Sequence, residues 1–263
     1  MGIEMIAKNY GYVGPGTDLG RIHITNGQFI SGHTIGILVQ DVHYPLLPGN
    51  VVNGYTYDFP VRLQVVPGAN QARMHVGDQT LIPDLVATAK LLEQEGCRAI
   101  CAGCGYFGHF QKSVADQVDI PVYLSSMVQV PWVSVALKST QKIGILCADQ
   151  KNLTQDVFNA CGVSEEIYNR CCVAGAGHLP EFSALLERRG HFDNEILRQE
   201  LIDLAKNLLK NEPDIGAILL ECSDMPPYAA AIQQELALPV YDYITMIKYA
   251  HSAVAQRPYY GFM

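Results

Sequence analysis

The sequence predicts an α/β protein built from two pseudo-symmetric lobes, each with a parallel sheet and helices on both faces. Three observations support this fold class. Short apolar segments alternate along the chain with segments of helical periodicity, a pattern typical of parallel sheets with helical crossovers. This alternation occurs twice. The length of 263 residues is sufficient for two compact halves.

The first half begins with a predicted strand at residues 34–39, where the run of apolar side chains is typical of a strand buried on both faces. Residues 40–76 are rich in Pro, Gly and Asn and are predicted to form a long loop, which is uncommon in a compact domain unless the loop has a function. Apolar residues then recur at helical spacing over residues 81–95. Residues 98–101 are predicted to form the next strand.

The second half repeats this order. Residues 142–147 are predicted to form a strand, residues 194–210 an amphipathic helix and residues 216–220 a second strand. Because strands and helices again alternate, we expect a second parallel sheet with helices on both faces.

Matching motifs in the two halves indicate an internal repeat. Cys104 and Cys222 each follow an Ala-Ile pair at the same spacing and are 118 positions apart. Pro121 and Pro239, each followed by Val-Tyr, are separated by the same 118 positions. The alternative is that such pairs recur by chance in an α/β protein. Because the offset is constant from strand to strand, we interpret the halves as related lobes.

The repeat defines the domain organisation that we expect. Residues 1–30, which are rich in Gly and Asn, are predicted to be an N-terminal arm. The first lobe comprises residues 31–125 together with residues 240–263, and the second lobe comprises residues 126–239. Both lobes are expected to be Rossmann-like, of the flavodoxin-like type, with the active site between them.

Composition and charge argue against several classes of protein. The formal net charge of −8 and the lack of a Lys or Arg run disfavour a nucleic-acid partner. No apolar stretch approaches the roughly 20 residues of a membrane span, and the N-terminus lacks the apolar stretch of a signal peptide. We therefore expect a cytoplasmic protein without membrane association, and a homodimer as the commonest homo-oligomer. Its eight cysteines are expected to be reduced thiols.

Cys104 and Cys222 are the two cysteines whose positions indicate chemistry. Each follows a predicted buried strand and precedes a turn into a helix, and ligands of open α/β sheets bind at this carboxyl end of the strands. Unpaired N–H groups at the start of a helix lower the pKa of a thiol from about 8.5 towards neutrality. The same groups are suited to binding a substrate carboxylate.

A pseudo-twofold axis between the lobes would place the two thiols on opposite sides of one small carboxylate substrate. One thiolate would then remove a proton from one face of a carbon atom, while the other thiol would deliver a proton to the opposite face. N–H donors would stabilise the negative charge that develops on the carboxylate. We therefore expect a racemase or epimerase that acts on an amino acid or a related acid.

The chain resembles the cofactor-independent aspartate/glutamate racemase superfamily, which includes hydantoin racemase-like members. The resemblance is carried by A-I-C-A-G-C-G-Y-F at residues 99–107 and A-I-L-L-E-C-S-D-M-P-P-Y-A at residues 217–229. It extends over residues 35–247. It implies that Cys104 and Cys222 are the acid/base pair of an isomerase that uses neither pyridoxal phosphate nor a metal, so no cofactor is expected.

The resemblance also implies that residues after each cysteine hold the substrate carboxylate and that two serines form the hydroxyl-bearing loop of the same pocket. The long loop, whose character differs from that of the family, is expected to supply a lid or a set of donors. The residues expected to bind the substrate are Gly105, Tyr106, Ser125, Ser126, Ser223, Asp224, Asp41, Tyr44 and Asn53.

The second motif departs from the family pattern and leaves alternatives open. Many racemases of the family have Cys-Thr-Asn or Cys-Thr-His where this chain has Cys222, Ser223 and Asp224. A carboxylate at residue 224 would repel a substrate carboxylate unless it contacts a positive amino group. The alternatives are a decarboxylase or cis-trans isomerase of a small dicarboxylate on the same fold, and a non-catalytic ligand-binding protein.

The remaining cysteines and the histidines give no comparable signal. Cys101 and Cys104 form a CxxC, but Cys101 lies within a predicted strand and no second CxxC completes the four ligands of a zinc site. The eight histidines lack metal-ligand spacing such as H-E-x-x-H. We therefore expect no metal, although His109 is close enough to Cys104 in the sequence to contact the site.

Overall fold

A computed structural model describes Val13 and residues 28–263, so most of the predicted N-terminal arm lies outside the described residues. The strands of the described part are β1 (Ile35–Val39), β2 (Val61–Val65), β3 (Ala99–Ala102), β4 (Val122–Tyr123), β5 (Lys142–Cys147), β6 (Cys171–Gly175), β7 (Ile215–Leu220) and β8 (Val240–Tyr241). They form two four-stranded sheets with the strand orders β2-β1-β3-β4 and β6-β5-β7-β8. All neighbouring strands are parallel.

Helices connect the strands and cover the sheets. They are α1 (Gln71–His75), α2 (Ile82–Gln94), α3 (Gln111–Ala115), α4 (Val130–Ala136), α5 (Gln155–Ala160), α6 (Glu165–Tyr168), α7 (Phe182–Leu186), α8 (Asn194–Asn211), α9 (Ala229–Leu236) and α10 (Tyr243–Val254). The long helix α8 begins where the Asp193 side chain accepts hydrogen bonds from the amides of Glu195 and Ile196, because these amides have no partner within the helix. None of the described helices is long and apolar enough to cross a membrane.

The two sheets end in the same way, which confirms the two-lobed α/β fold. Beyond β3, the amide of Gly103 donates a hydrogen bond to the carbonyl of Leu38 at 2.9 Å. Beyond β7, the amide of Glu221 donates to the carbonyl of Leu146 at 2.8 Å. These four residues occupy corresponding positions in the two halves. In each motif, the cysteine is therefore the residue directly after the one that makes this backbone hydrogen bond to the neighbouring strand.

The prediction that residues 40–76 form only a loop is wrong. This segment contains the edge strand β2 and the short helix α1, as well as a 3-10 helix at Gly54–Thr56. The strand was difficult to recognise because prolines precede and follow its V-R-L-Q-V sequence, and because Arg and Gln interrupt its apolar residues. Arg62 of this strand donates from Nε to Oε2 of Glu95, at the end of α2, at 2.8 Å.

The last helix returns to the first sheet. Strand β8 pairs with β7 in the second sheet, whereas the apolar side of α10, including Tyr243 and Ile247, packs with Ile35 and Ile37 of β1. The chain therefore crosses back to the first sheet after Tyr241, whereas the sequence placed that return at residue 240. Burial of this apolar helix face stabilises the first lobe.

Candidate active site

Cys104 and Cys222 line the same cavity. Cys104 lies just beyond the carboxyl end of β3, and Cys222 lies just beyond the carboxyl end of β7. These two strands occupy equivalent central positions in their sheets. Both side chains are buried, and both line one small cavity between the two cysteine loops. The structure therefore brings the two cysteines predicted from the sequence to one site.

The two cysteine loops contact each other reciprocally. Gly105 packs so closely on Glu221 that a Cβ at residue 105 would lie 1.6 Å from Oε1 of Glu221. Ser223 Oγ in turn donates to the carbonyl of Gly103 at 3.0 Å. Positions 103 and 105 correspond to positions 221 and 223 in the repeat, so each contact joins the same pair of positions. Two contacts that join equivalent positions in this reciprocal way are expected when a twofold axis relates the two loops. The pseudo-twofold axis therefore passes between the two cysteine loops.

Tyr106 reaches from the first motif to the second lobe. Its hydroxyl donates to the carbonyl of Asp149 at 2.7 Å and accepts from the amide of Asp149 at 2.8 Å. The ring lines the cavity, while His75 packs on it with ring centroids 4.1 Å apart. Because its hydroxyl is engaged in both roles, Tyr106 positions the two lobes and presents its ring, rather than a free hydroxyl, to the cavity.

Asp224, which corresponds to Tyr106 in the repeat, reaches in the opposite direction. Its Oδ1 accepts from the hydroxyl of Tyr44 at 2.9 Å and from Nδ2 of Asn50, both in the long loop of the first lobe. Its Oδ2 accepts from Cys222 Sγ at 3.6 Å. Burial raises the pKa of Asp224, and the three hydrogen bonds oppose this rise because they stabilise the carboxylate. Cys222 therefore has a carboxylate partner that is itself held in place.

Burial raises the pKa of both thiols well above the ordinary value. The Glu221 carboxyl adds to the rise for Cys104, and the amide of Tyr106 opposes it. For Cys222 the Asp224 carboxyl adds most after burial. The sequence predicted that helix-start amides would bring these pKa values towards neutrality. That expectation is wrong, because the loss of solvation raises the pKa of each thiol by more than the amides lower it.

The two predicted serines lie behind the cavity rather than on it. Ser125 is fully buried, and its side chain accepts a hydrogen bond from the amide of Met127. Ser126 donates from Oγ to the carbonyl of Leu220, at the end of β7, at 2.9 Å. Ser126 therefore supports the start of the second cysteine loop, whereas Ser125 caps its own 3-10 helix, and neither residue lines the cavity.

Asp41 and Asn53 also lie away from the cavity, unlike Tyr44. Asp41 is exposed, and one of its oxygens is 3.9 Å from Nε2 of His43. Asn53 accepts from the amide of Tyr55 and so caps the following 3-10 helix. The long loop does contribute to the site, as expected, but through Tyr44 and Asn50. Loop conformation decides which side chains face inward, and the sequence gives no periodicity from which to predict it.

Several cavity residues were missed by sequence reasoning. Gln40 follows β1 directly, and Gln71 and His75 belong to α1. Glu221 immediately precedes Cys222. Gln40 and Glu221 carried a usable signal, because each is a polar residue at the carboxyl end of a buried strand. His75 carried none, since α1 itself was not predicted.

The cavity is acidic. Among the described residues that line it there is no Lys or Arg, whereas Glu221 and Asp224 contribute two carboxyl groups. Burial lowers the pKa of His75, although the nearby Asp149 carboxylate opposes this. Neutral hydrogen-bonding groups come from Gln40 and Gln71. The site therefore offers negative charge and neutral donors, but no guanidinium or ammonium group.

The CxxC does not act as a unit. Cys101 is fully buried within β3, whereas Cys104 faces the cavity. All eight cysteines are free thiols. Within residues 28–263 no cluster of three or more His, Cys, Asp or Glu side chains is arranged to hold a metal ion. His109, which the sequence placed near Cys104, borders a separate depression beside His75.

Solved structures of several enzymes share this fold. Arylmalonate decarboxylase has a TM-score of 0.55 at 17% identity over 87% of this chain and 97% of that chain. A glutamate racemase from Bacillus anthracis has a TM-score of 0.54 at 15% identity over 85% and 82%. An allantoin racemase from Klebsiella pneumoniae has a TM-score of 0.56 at 13% identity over 84% and 88%. The chain has the fold of the aspartate/glutamate/hydantoin racemase superfamily, as its two cysteine motifs predicted.

Curated relatives are lyases. Dimethylsulfoniopropionate lyase 7 of Emiliania huxleyi (strain CCMP1516) is 28% identical over 240 residues, which cover 87% of this chain and 69% of the relative. A dimethylsulfoniopropionate lyase of Durusdinium sp. clade D is 28% identical over 238 residues, covering 87% and 77%. No protein-family model matches the sequence. These relatives and structural neighbours are enzymes, and the lyase names agree better with the decarboxylase alternative than with the expected racemase.

Proposed function

We propose that this chain is a cofactor-independent lyase for a small carboxylate that carries a cationic leaving group. Cys222 removes a proton from the carbon next to the carboxylate, and the leaving group departs from the following carbon. The observation that carries this proposal is the hydrogen-bonded pair of Cys222 and Asp224 on the cavity shared with Cys104. The relatives named dimethylsulfoniopropionate lyases support the reaction class.

The charge of the cavity favours a zwitterionic substrate. Dimethylsulfoniopropionate has a sulfonium group at one end and a carboxylate at the other. The carboxylate of Asp224 suits the positive end, while the neutral amides of Gln40 and Gln71 are available to the carboxylate of the substrate. A dicarboxylate would bring a second negative charge into a cavity lined by no Lys or Arg among its described residues. This disfavours the dicarboxylate decarboxylase and isomerase alternatives.

The Cys222 and Asp224 pair suits the role of base. The thiol donates to Oδ2 of Asp224, and Tyr44 and Asn50 orient that carboxylate. The pair carries one negative charge whether the proton resides on sulfur or on oxygen. A cationic group bound beside it compensates that charge in both forms. Transfer of the proton to Asp224 leaves a thiolate at residue 222, the arrangement of a nucleophile or base with an adjacent proton acceptor.

The reaction is balanced without an oxidant or a cofactor. The Cys222 thiolate takes a proton from the carbon next to the carboxylate, and the electron pair of that C–H bond forms the C=C bond. The bond from the next carbon to the sulfonium sulfur breaks, and its electrons remain on sulfur. Dimethylsulfoniopropionate would yield dimethyl sulfide, acrylate and one proton, which returns to solvent from the pair. The departing sulfide needs no proton, so one base is sufficient.

The asymmetry of the two motifs agrees with a one-base reaction. Both acidic side chains come from the second motif, where Glu221 and Asp224 stand in place of Gly103 and Tyr106 of the first. A racemase needs two thiols of similar environment, since each must act as acid and as base. Here Cys222 has a carboxylate partner at hydrogen-bond distance. We therefore assign Cys222 as the base and Cys104 as a neutral thiol of the opposite wall.

Racemisation is the second candidate, because two thiols on one cavity also fit it. A substrate panel distinguishes the reactions. Purified protein, dialysed against EDTA, is given dimethylsulfoniopropionate, phenylmalonate, or L-aspartate and L-glutamate in D₂O. We expect dimethyl sulfide and acrylate in equal amounts by gas chromatography and NMR. Incorporation of deuterium into the amino acids without release of dimethyl sulfide would refute the lyase assignment and favour the racemase.

A further inference from the structure

Glu221 is a buried acid that the base assignment does not use. It directly follows β7 and precedes Cys222, its side chain has no solvent exposure, and it belongs to the wall of the cavity. No side chain of the described residues forms a hydrogen bond with either of its carboxyl oxygens, and the neighbouring donor is the backbone N–H of Ala148. A buried carboxyl group with so few partners is costly and calls for a functional explanation.

The first cysteine loop leaves room for this carboxyl group. Residue 105 is a glycine, and a Cβ there would lie 1.6 Å from Oε1 of Glu221 and 2.7 Å from its backbone carbonyl. The carboxyl group therefore occupies the space of an absent side chain, immediately beside Cys104. At the corresponding position of the first motif, Gly103 has no side chain, so this feature exists on one side of the site alone.

The groups around Glu221 are acidic or neutral. The carboxylates that act on it are Asp149 and Asp224. The other titratable groups that interact with it are thiols and phenols, namely Cys104, Cys147, Cys161, Cys222, Tyr106 and Tyr243. Burial raises the pKa of Glu221 to about 8, and the Ala148 backbone opposes this only in part. No cationic partner compensates a charge on Glu221 within this described set.

We propose that Glu221 is a substrate-binding residue that donates a hydrogen bond, as a neutral carboxylic acid, to the carboxylate of the ligand. This inference rests on the proposed function and assigns to it the group that recognises the carboxylate. A bound carboxylate supplies an acceptor for the Glu221 hydroxyl, which has none among the described side chains. An O–H···O⁻ hydrogen bond to a charged acceptor is among the stronger ones, and a buried acid kept neutral for donation is an established device.

The same hydrogen bond assists the chemistry. Removal of the proton next to the carboxylate moves negative charge onto the carboxylate oxygens, so a donor placed there becomes more effective as the reaction proceeds. Ionised Glu221 would instead repel the substrate carboxylate and oppose thiolate formation at Cys104 and Cys222. Glu221 therefore makes carboxylate binding dependent on its own protonation.

Two substitutions separate donation from mere space filling. Glu221→Gln preserves the shape and provides a neutral N–H donor, whereas Glu221→Met fills similar space without a donor. Propionate is the probe for binding, measured by calorimetry at pH 6.5 and pH 9.5. We expect the affinity of the wild type for propionate to be at least tenfold lower at pH 9.5 than at pH 6.5. The affinity of Glu221→Gln should differ by less than threefold between the two pH values. Glu221→Met should bind propionate at least tenfold more weakly than the wild type at pH 6.5.

The elimination rate provides the second readout. In wild-type protein, kcat/KM for dimethylsulfoniopropionate should decline above about pH 8, and this decline should be absent in Glu221→Gln. Glu221→Met that binds propionate like the wild type, or identical pH profiles for wild type and Glu221→Gln, would overturn the inference. Loss of elimination together with Glu221-dependent propionate binding would instead reject the proposed lyase and retain the carboxylate site. Thermal melts of each variant verify folding.

Discussion

At the scale of single residues, the two thiols differ in their partners rather than in their burial. Cys222 has Asp224 within hydrogen-bond distance, and Tyr44 and Asn50 hold that carboxylate from the other lobe. No side chain of the described residues forms a hydrogen bond with the Cys104 thiol, and the carboxyl group that most affects its pKa is that of Glu221. The acid/base assignment follows from this difference, because a proton acceptor beside a thiol is what generates its reactive form.

The Tyr44→Phe substitution tests whether the Tyr44 hydroxyl helps to hold the Asp224 carboxylate in place. Tyr44→Phe removes a donor to Asp224, so the carboxylate is less well oriented and its pKa rises further. We expect kcat/KM for elimination to fall about tenfold, the equivalent of about 1.4 kcal/mol. The matched control is Tyr55→Phe, since Tyr55 lies in the same segment but is 94% exposed. Equal activity of the two variants would show that Tyr44 does not support the base.

The sequence was sufficient to predict site residues that closely follow a strand. It did not predict the residues that join the site through contacts between segments far apart in the sequence. Cys104 and Cys222 were identifiable because each follows a buried strand by a fixed spacing. Asn50 was not, because its contact with Asp224 spans two lobes and 174 residues of sequence. Asp224 was identified, but its environment of two donors and one thiol was not. Long-range polar contacts of this kind have no local pattern.

At the scale of elements, the segment between β1 and β2 joins the lobes at the site. It contributes Tyr44 and Asn50 to Asp224, and Gly49 packs on Pro227 of the second motif. Gly49 has a φ of 101°, a conformation that side chains other than glycine rarely adopt. The segment is therefore seated on the second motif by both hydrogen bonds and close packing.

Gly49→Ala is expected to disturb this seating. A Cβ at residue 49 would lie 2.9 Å from Cα of Pro227, in addition to the strain of its positive φ. We expect a loss of about 1–3 kcal/mol in unfolding free energy and a larger KM, because Asn50 is adjacent. Gly54→Ala is the control, since a Cβ there meets no atom within 4 Å. A Gly49→Ala variant as stable and active as Gly54→Ala would contradict this account.

Strands composed mainly of apolar residues could be predicted from the sequence, whereas a strand interrupted by polar residues could not. The central strands β1 and β5 were predicted from unbroken apolar runs, and the observed β5 coincides with the predicted residues 142–147. The edge strand β2 was missed, because one side of an edge strand lacks a neighbour and tolerates polar residues such as Arg62 and Gln64. Helix α1, with five residues, was too short to show periodicity.

At the scale of the whole molecule, two similar sheets enclose one asymmetric cavity. The reciprocal contacts of Gly105 with Glu221 and of Ser223 with Gly103 preserve the pseudo-twofold relation of the backbone. The side chains depart from it by placing both acids on the second motif. A duplicated scaffold thus carries a site in which the two thiols are chemically distinct.

Burial of Glu221 also affects the stability of the whole protein. Its pKa rises from the ordinary 4.5 to about 8 on folding, so the folded state binds more protons than the unfolded state between these values. The contribution of this group to stability therefore decreases as pH rises from about 4.5 to about 8. We expect Glu221→Gln to melt like the wild type at pH 5, and at least 3 °C higher at pH 8.5, equivalent to about 1 kcal/mol.

The control for this melt is Glu166→Gln, which alters an exposed glutamate and should leave the pH dependence of melting unchanged. A Glu221→Gln variant that follows the wild-type melting temperature at every pH would mean that Glu221 ionises as freely in the folded protein as in the unfolded one.

The assignment of Cys222 as the base is tested by the initial rate of dimethyl sulfide release from dimethylsulfoniopropionate, measured for four proteins at equal folded concentration. These are the wild type, Cys222→Ser, Cys104→Ser and the half-buried control Cys172→Ser. We expect release by the wild type and Cys172→Ser, a loss of about 10³-fold in Cys222→Ser, and a loss within about tenfold in Cys104→Ser. No release by the wild type, or an equal loss in both cavity-cysteine variants, would contradict a reaction that depends on Cys222 as its single base.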